Sequence, residues 1–193
     1  MVRHYITDRL TLPRGQSLLD SIARILQNSA DQIQIREKDL SARDLFALVQ
    51  AALTLPNPRN VAILVNTRVD IALAAGASGA HLPAGSPPPQ SWRNLVPKGF
   101  LIGVSCHTPD EVATAEAEGA DYVLFGPVFA PLSKISAIAP RGLDGLAQAV
   151  KSTLIPVFAL GGITRENAAQ CQAAGAKGIA GISLFQSQFL PGS

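Results

Sequence analysis

Aromatic residues make up only 5% of this chain, and cysteine occurs twice. Cys106 and Cys171 are too few for a disulfide framework, and their separation matches no zinc motif, so both are expected to be reduced thiols. No basic run interleaved with aromatics occurs, which argues against a nucleic-acid partner. Charged residues reach 16% and the formal net charge is +2, a balance that excludes a disordered chain and still admits an anionic small molecule. No apolar run approaches the ~20 residues of a membrane span, and the first ten residues, MVRHYITDRL, lack the apolar stretch of a signal peptide. A cytoplasmic protein with no membrane partner is expected. What the chain has in quantity is hydrophobic side chains, 47% of the total, enough for one substantial core in residues 1–193 read as a single domain.

Short apolar runs alternate with longer segments of helical period. The runs are HYIT (4–7), DQIQIR (31–36), VAILVN (61–66), GAHL (79–82), FLIGVS (100–105), DYVLFG (121–126), IPVFALG (155–161) and KGIAGIS (177–183). Between them, segments such as 41–53, 108–119 and 164–175 open on Ser or Thr, and the last two close at Gly, as helices do. In 108–119, Thr108 can cap, Pro109 suits the first helical position and Glu111 completes a capping box. Eight strands joined by helical crossovers predict parallel pairing and a closed (β/α)8 TIM barrel. An open doubly wound sheet would normally carry a glycine-rich fingerprint after its first strand, and ITDRLTLPRGQ is not one. Little chain follows Ser183, so the last helix is expected to be short or missing.

Barrel active sites gather at the carboxyl ends of the strands, which directs attention to the residues after each run. Gln34, Arg36 and Lys38 alternate and share one face if the strand continues, two cations beside an amide that suit a phosphate or carboxylate. A solvated loop would account for Glu37 and Asp39. Asn66 is a candidate substrate hydrogen-bonder, and a helix cap otherwise. The seventh and eighth runs end in GG and GIS, so Gly161, Gly162, Gly181, Ile182 and Ser183 form the candidate phosphate site, since glycines let backbone amides approach an anion. Ser105, His107 and Lys134 complete the rim. His81 could simply fill the barrel mouth, and alternation sends Cys106 to the core. His107 is the candidate catalytic residue, because an imidazole can accept and return a proton near neutral pH.

The stretches YITDR, QIREKDLSARDL, VNTRVDIALAAGASGAHL, IGVSCHTPDEVATAEAEGADYVLFGPVF and PVFALGGITRENAAQCQAAGAKGIAGIS resemble, in order and over essentially the whole chain, the thiamine phosphate synthase and TenI superfamily. The resemblance implies a phosphorylated thiazole as the small-molecule partner, and it leaves a homodimer open. Synthases of the superfamily join a pyrimidine diphosphate to a thiazole phosphate with magnesium held by aspartates in motifs reading roughly N-D-x-V-D and H-L-G-Q-x-D. Here Thr67 stands in place of the first acid, and HLPAGS, from His81, lacks the second. The P-T-x-T-K loop is reduced to Ala130, Pro131, Leu132, Ser133 and Lys134. HLPAGSPPP and NTRVDIAL resemble the TenI branch, whose thiazole tautomerisation needs an acid and a base and no metal. The expected order is therefore a TenI-like tautomerase, an isomerase without cofactor, in which His107 moves the proton. A diverged synthase using magnesium comes second, and a non-catalytic ligand-binding or regulatory paralogue third.

Overall fold

The strands alternate strictly between two cores. The computed structural model describes residues 1–130 and 139–186. Its strands are β1 (Val2–Ile6), β2 (Gln32–Ile35), β3 (Ala62–Asn66), β4 (Gly79–Leu82), β5 (Leu101–Cys106), β6 (Tyr122–Phe125), β7 (Val157–Leu160) and β8 (Gly178–Gly181). Each pairs in parallel with its sequence neighbour, and β8 returns to β1 to close the barrel. One set of alternating side chains, including Tyr5, Ile33, Ile35, Ile63 and Val65, faces outward and packs with helix residues such as Ile22, Ile25 and Val49. Phe125, Val157 and Ala159 do the same on the other half of the barrel. The opposite set, Ile6, Leu64, Tyr122, Leu124, Phe158 and Ala180, fills the interior. Period-2 patterning with both faces buried is what parallel strands under a helix layer require.

The helices are α1 (Leu18–Asn28), α2 (Ala42–Leu53), α3 (Val69–Ala75), α4 (Gln90–Arg93), α5 (Pro109–Ala117), α6 (Gly142–Lys151), α7 (Ala168–Ala173) and α8 (Ser183–Gln186). α1 is typical: Ser17 accepts from the Asp20 amide, and Leu18, Ile22, Ile25 and Leu26 lie buried along one face. Ser41 and Thr108 cap α2 and α5 in the same manner. Two details differ from the sequence expectation. Glu111 reaches past Thr108 and accepts from the amide of His107. The segment after Thr164 becomes helical only at Ala168, because Thr164 and Asn167 bond each other's amides, 2.8 and 3.3 Å, and close a separate turn first. α8 is described over Ser183–Gln186, and the expectation of a short last helix falls on residues that lie partly outside the described ones. No described helix is long and apolar enough to cross a membrane.

Candidate functional site

A cavity of about 530 Å³ opens at the carboxyl ends of the strands. It brings together Gln34, Arg36, Lys38 and Asn66 on one wall, with Gly161, Gly162 and the segment Gly181, Ile182 and Ser183 on another; Ser105 and His107 lie between. Lys134 lies outside the described residues. β2 ends at Ile35, before the alternation of Gln34, Arg36 and Lys38 is complete, yet all three line the cavity. Ile6, Leu124, Leu160 and Ala180 supply an apolar side. The site is thus cationic and amide-rich on one wall, glycine-rich on another and greasy at the floor.

Glu37 corrects the expectation of a solvated loop. It is 5% exposed and accepts from Thr7 Oγ1 at 2.6 Å and from the Arg9 amide at 3.2 Å. The Arg36 amide in turn donates to Thr7 Oγ1 at 2.9 Å. The loop after β1 therefore fixes the loop after β2, which holds the Arg36 backbone at the cavity while its guanidinium has no carboxylate partner among the described residues.

Gly161 and Gly162 have φ of +95° and +61° and lie against the loop after β6. The pair is a tight turn and also lines the cavity. Among the described residues, the amides of Gly161, Gly162 and Ile182 donate to no backbone carbonyl, which leaves donors available at this wall. His107 Nδ1 lies 2.5 Å from the Gly126 carbonyl oxygen. A carbonyl only accepts, so Nδ1 carries a proton, and Nε2 is the ring nitrogen left to face the cavity contacts. Cys106 is 1% exposed, and burial pushes its thiol up to about 12, an inert core sulfur as expected.

Sequence reasoning missed the polar interior beneath the cavity. Gln32 and Gln34 face inward together with His4, whose ring nitrogens lie 2.9 Å from Gln32 Oε1 and 3.0 Å from Gln34 Oε1. Gln34 Nε2 donates to Asn66 Oδ1 at 2.8 Å, and Asn66 donates to Thr67 Oγ1 at 2.8 Å. Asn66 is therefore a link between interior and rim, and α3 starts with no side-chain cap. His81, 1% exposed, bonds Ser105 and Tyr122. The signal was present in the alternation of HYI and QIQI, which sends two glutamines and a histidine to the barrel interior.

No carboxylate lines the cavity. Asp70 is turned to Arg68, at 2.8 and 2.5 Å, and that pairing holds its carboxyl below the usual range. No cluster of three or more His, Cys, Asp or Glu able to hold a metal occurs among the described residues, and residues 131–138 and 187–193 contain no Asp or Glu. The donor set does not fit a magnesium ion held by protein carboxylates. Thr67 has φ +65°, left-handed backbone that suits Asn or Asp far better than a β-branched residue. Thr67→Asn should raise stability by about 0.5–1 kcal/mol, read as a melting point roughly 2 °C higher. An unchanged or lower melting point would show that Thr67 carries no strain.

Comparisons with known proteins agree with the geometry. The family model for thiamine monophosphate synthase matches residues 4–185. A putative thiamine-phosphate synthase from Geobacter sulfurreducens is 46% identical over 94% of this chain and 85% of its own. Thiamine-phosphate synthase from Methanoculleus marisnigri is 40% identical over 93% and 85%. The solved thiamine phosphate pyrophosphorylase from Pyrococcus furiosus superposes with a TM-score of 0.81 at 33% identity, over 94% of this chain and 85% of its own. The first two relatives are named as synthases, which are transferases, and with the pyrophosphorylase they overturn the expectation of a TenI-like tautomerase and of an isomerase. The expectation had weighted two absent acids above the retained cations Arg36 and Lys38, both of which line the cavity. The match over residues 4–185 and identities of 40–46% make the chain a member of the thiamine monophosphate synthase family.

Proposed function

We propose that this protein is a transferase of the thiamine-phosphate synthase type, joining a pyrimidine carried as its diphosphate to a thiazole phosphate. The observation that carries the reading is one cavity with two separate anion-suited walls, cations at Arg36 and Lys38 and, at Gly162 and Ile182, amides that donate to no backbone carbonyl among the described residues. A substrate pair with two phosphorylated ends fits such a cavity, and the apolar floor accepts two flat rings. In the transfer, the thiazole nitrogen forms a bond to the pyrimidine's methylene carbon as the C–O bond to diphosphate breaks. The electron pair of that bond leaves with the diphosphate. Arg36 and Lys38 stabilise the charge that develops there, and the fixed walls hold the two reacting atoms in line. The imidazole of His107, anchored through Nδ1 to the Gly126 carbonyl, presents its Nε2 edge to orient a polar group of the substrate rather than moving a proton. Lys134 is assigned to the same anion-binding set by its sequence position.

Incubation with both substrates should yield thiamine phosphate and free diphosphate. No product from both substrates, with or without magnesium, would reject the reading. Magnesium enters this reading only as the counter-ion of the diphosphate. Calorimetry should therefore show no saturable magnesium binding to the protein alone, and heat of binding should appear only when diphosphate is added. Saturable binding without diphosphate would mean that the protein builds a metal site from groups other than cavity carboxylates.

A further inference from the structure

The middle of the barrel holds more polar chemistry than a packed interior needs. Tyr122 stacks on Phe158, with ring centroids 5.0 Å apart, and its ring occupies the space left by Gly103, where a Cβ would collide with Tyr122 Cζ. The register places His81 beside Gly103 and Gly103 beside Tyr122, so the glycine lets a phenol reach across one strand to the imidazole. The Tyr122 hydroxyl lies 3.2 Å from His81 Nδ1, its one partner among the described residues. His81 Nε2 lies 2.8 Å from Ser105 Oγ, and Ser105 lines the cavity.

We propose that Tyr122 and His81 form a buried hydrogen-bond relay that fixes the direction of the Ser105 hydroxyl proton, making Ser105 a standing donor into the cavity. Tyr122 is 2% exposed and burial raises its pKa far above the ordinary phenol value, so it keeps its proton. Burial, His4 and Arg36 together hold the pKa of His81 well below its usual value, so the imidazole is neutral and carries one proton. If that proton sat on Nδ1, the phenol O–H would be buried with no acceptor, an arrangement that proteins avoid. The phenol therefore donates to Nδ1, and the imidazole proton is on Nε2. Nε2–H donates to Ser105 Oγ, which leaves the serine's own proton with no acceptor among the described residues. That proton points to the ligand. Ser105 thus selects a hydrogen-bond acceptor, such as an unprotonated ring nitrogen, and rejects an N–H at the same place. Tyr122 and His81 are positioning residues. Only the identity of the acceptor, a nitrogen of the pyrimidine ring, rests on the transferase reading above.

The test is long-range ¹H–¹⁵N NMR of the imidazole rings in the full-length protein. The chain has three histidines, so His4→Gln and His107→Gln assign the spectrum. His81 should show a neutral ring protonated at Nε2 from pH 6 to 8. A ring protonated at Nδ1, or an imidazolium in that range, overturns the relay whether or not any variant folds. In Tyr122→Phe the signal should move toward a mixture containing the Nδ1–H form, and kcat/KM for the pyrimidine diphosphate should fall about tenfold, the worth of one oriented hydrogen bond. The same change made in Ser105→Ala should cost nothing further, whereas a full tenfold loss there would mean that Tyr122 acts by a route other than Ser105. Failure of the wild-type protein to form product would reject the transferase reading and leave the tautomer result standing.

Discussion

Arg36→Ala is expected to lower kcat by about 10²- to 10³-fold, the usual cost of removing one donor aimed at charge that develops in the transition state. The guanidinium stands at a cavity with no carboxylate and has no acidic partner among the described residues, so its charge is not spent inside the protein. KM for the diphosphate substrate should rise as well, because part of that charge is present before the bond breaks. Arg36→Lys should recover only part of the loss, since an ammonium keeps the charge and lacks the planar fork that matches phosphate oxygens. Arg68→Ala is the control. Its guanidinium is paired with Asp70 outside the cavity lining, and turnover should stay within about a factor of two. Equal losses in both variants would mean that net charge, rather than a positioned cation, is what the reaction needs.

The barrel was legible because its cause is local. Each apolar run is short and followed by a helical segment, with side-chain caps opening α1, α2 and α5, and those two periods leave few topologies for a chain of this length. The rim was legible for the same reason, since residues at and just past the carboxyl end of a strand lie at the mouth, and Arg36, Asn66, Ser105, His107 and Gly162 all line the cavity. Two things escaped. The first was the interior network of His4, Gln34, His81 and Tyr122: strand alternation in HYI and QIQI points two glutamines and a histidine inward, but the pairing of His81 with Tyr122 depends on how β4, β5 and β6 stand side by side, which no single run records. The second was the choice of reaction. Thr67 and Ser86 stand where two acids are absent, and that absence outweighed Arg36 and Lys38, cations already legible at the rim, until the relatives named as synthases reversed the order. Glu37 shows the same limit: its sequence neighbours are polar, and its burial follows from Thr7 and Arg9 on another loop.

Gly162→Ala should destabilise the protein by about 2–5 kcal/mol and lower its melting point by roughly 5–15 °C. Two costs add here. With φ at +61°, the alanine sits in left-handed backbone, which costs roughly 1–2 kcal/mol. Its Cβ would also meet the Ala130 carbonyl oxygen and, at 2.7 Å, Phe129 Cβ, neither of which can rotate away as the tip of a long side chain could. The loop after β7 must then move off the loop after β6, pulling on the 3.0 Å bond from the Phe129 amide to the Gly161 oxygen and on the 2.9 Å bond from Asn167 Nδ2 to the Gly162 oxygen. Gly76→Ala separates the two costs. Gly76, which ends α3 with φ +79°, has nothing within 4 Å of the place a Cβ would take, so it should lose only the backbone share, about 1 kcal/mol. The difference between the two melting points then measures the close approach of the two loops. Because the displaced amide belongs to the proposed phosphate wall, Gly162→Ala should weaken thiazole phosphate binding as well, and Gly76→Ala should leave it unchanged. Equal melting points for the two variants, or unaltered thiazole phosphate affinity in Gly162→Ala, would show that the glycine pair is a turn alone and that the anion is held elsewhere.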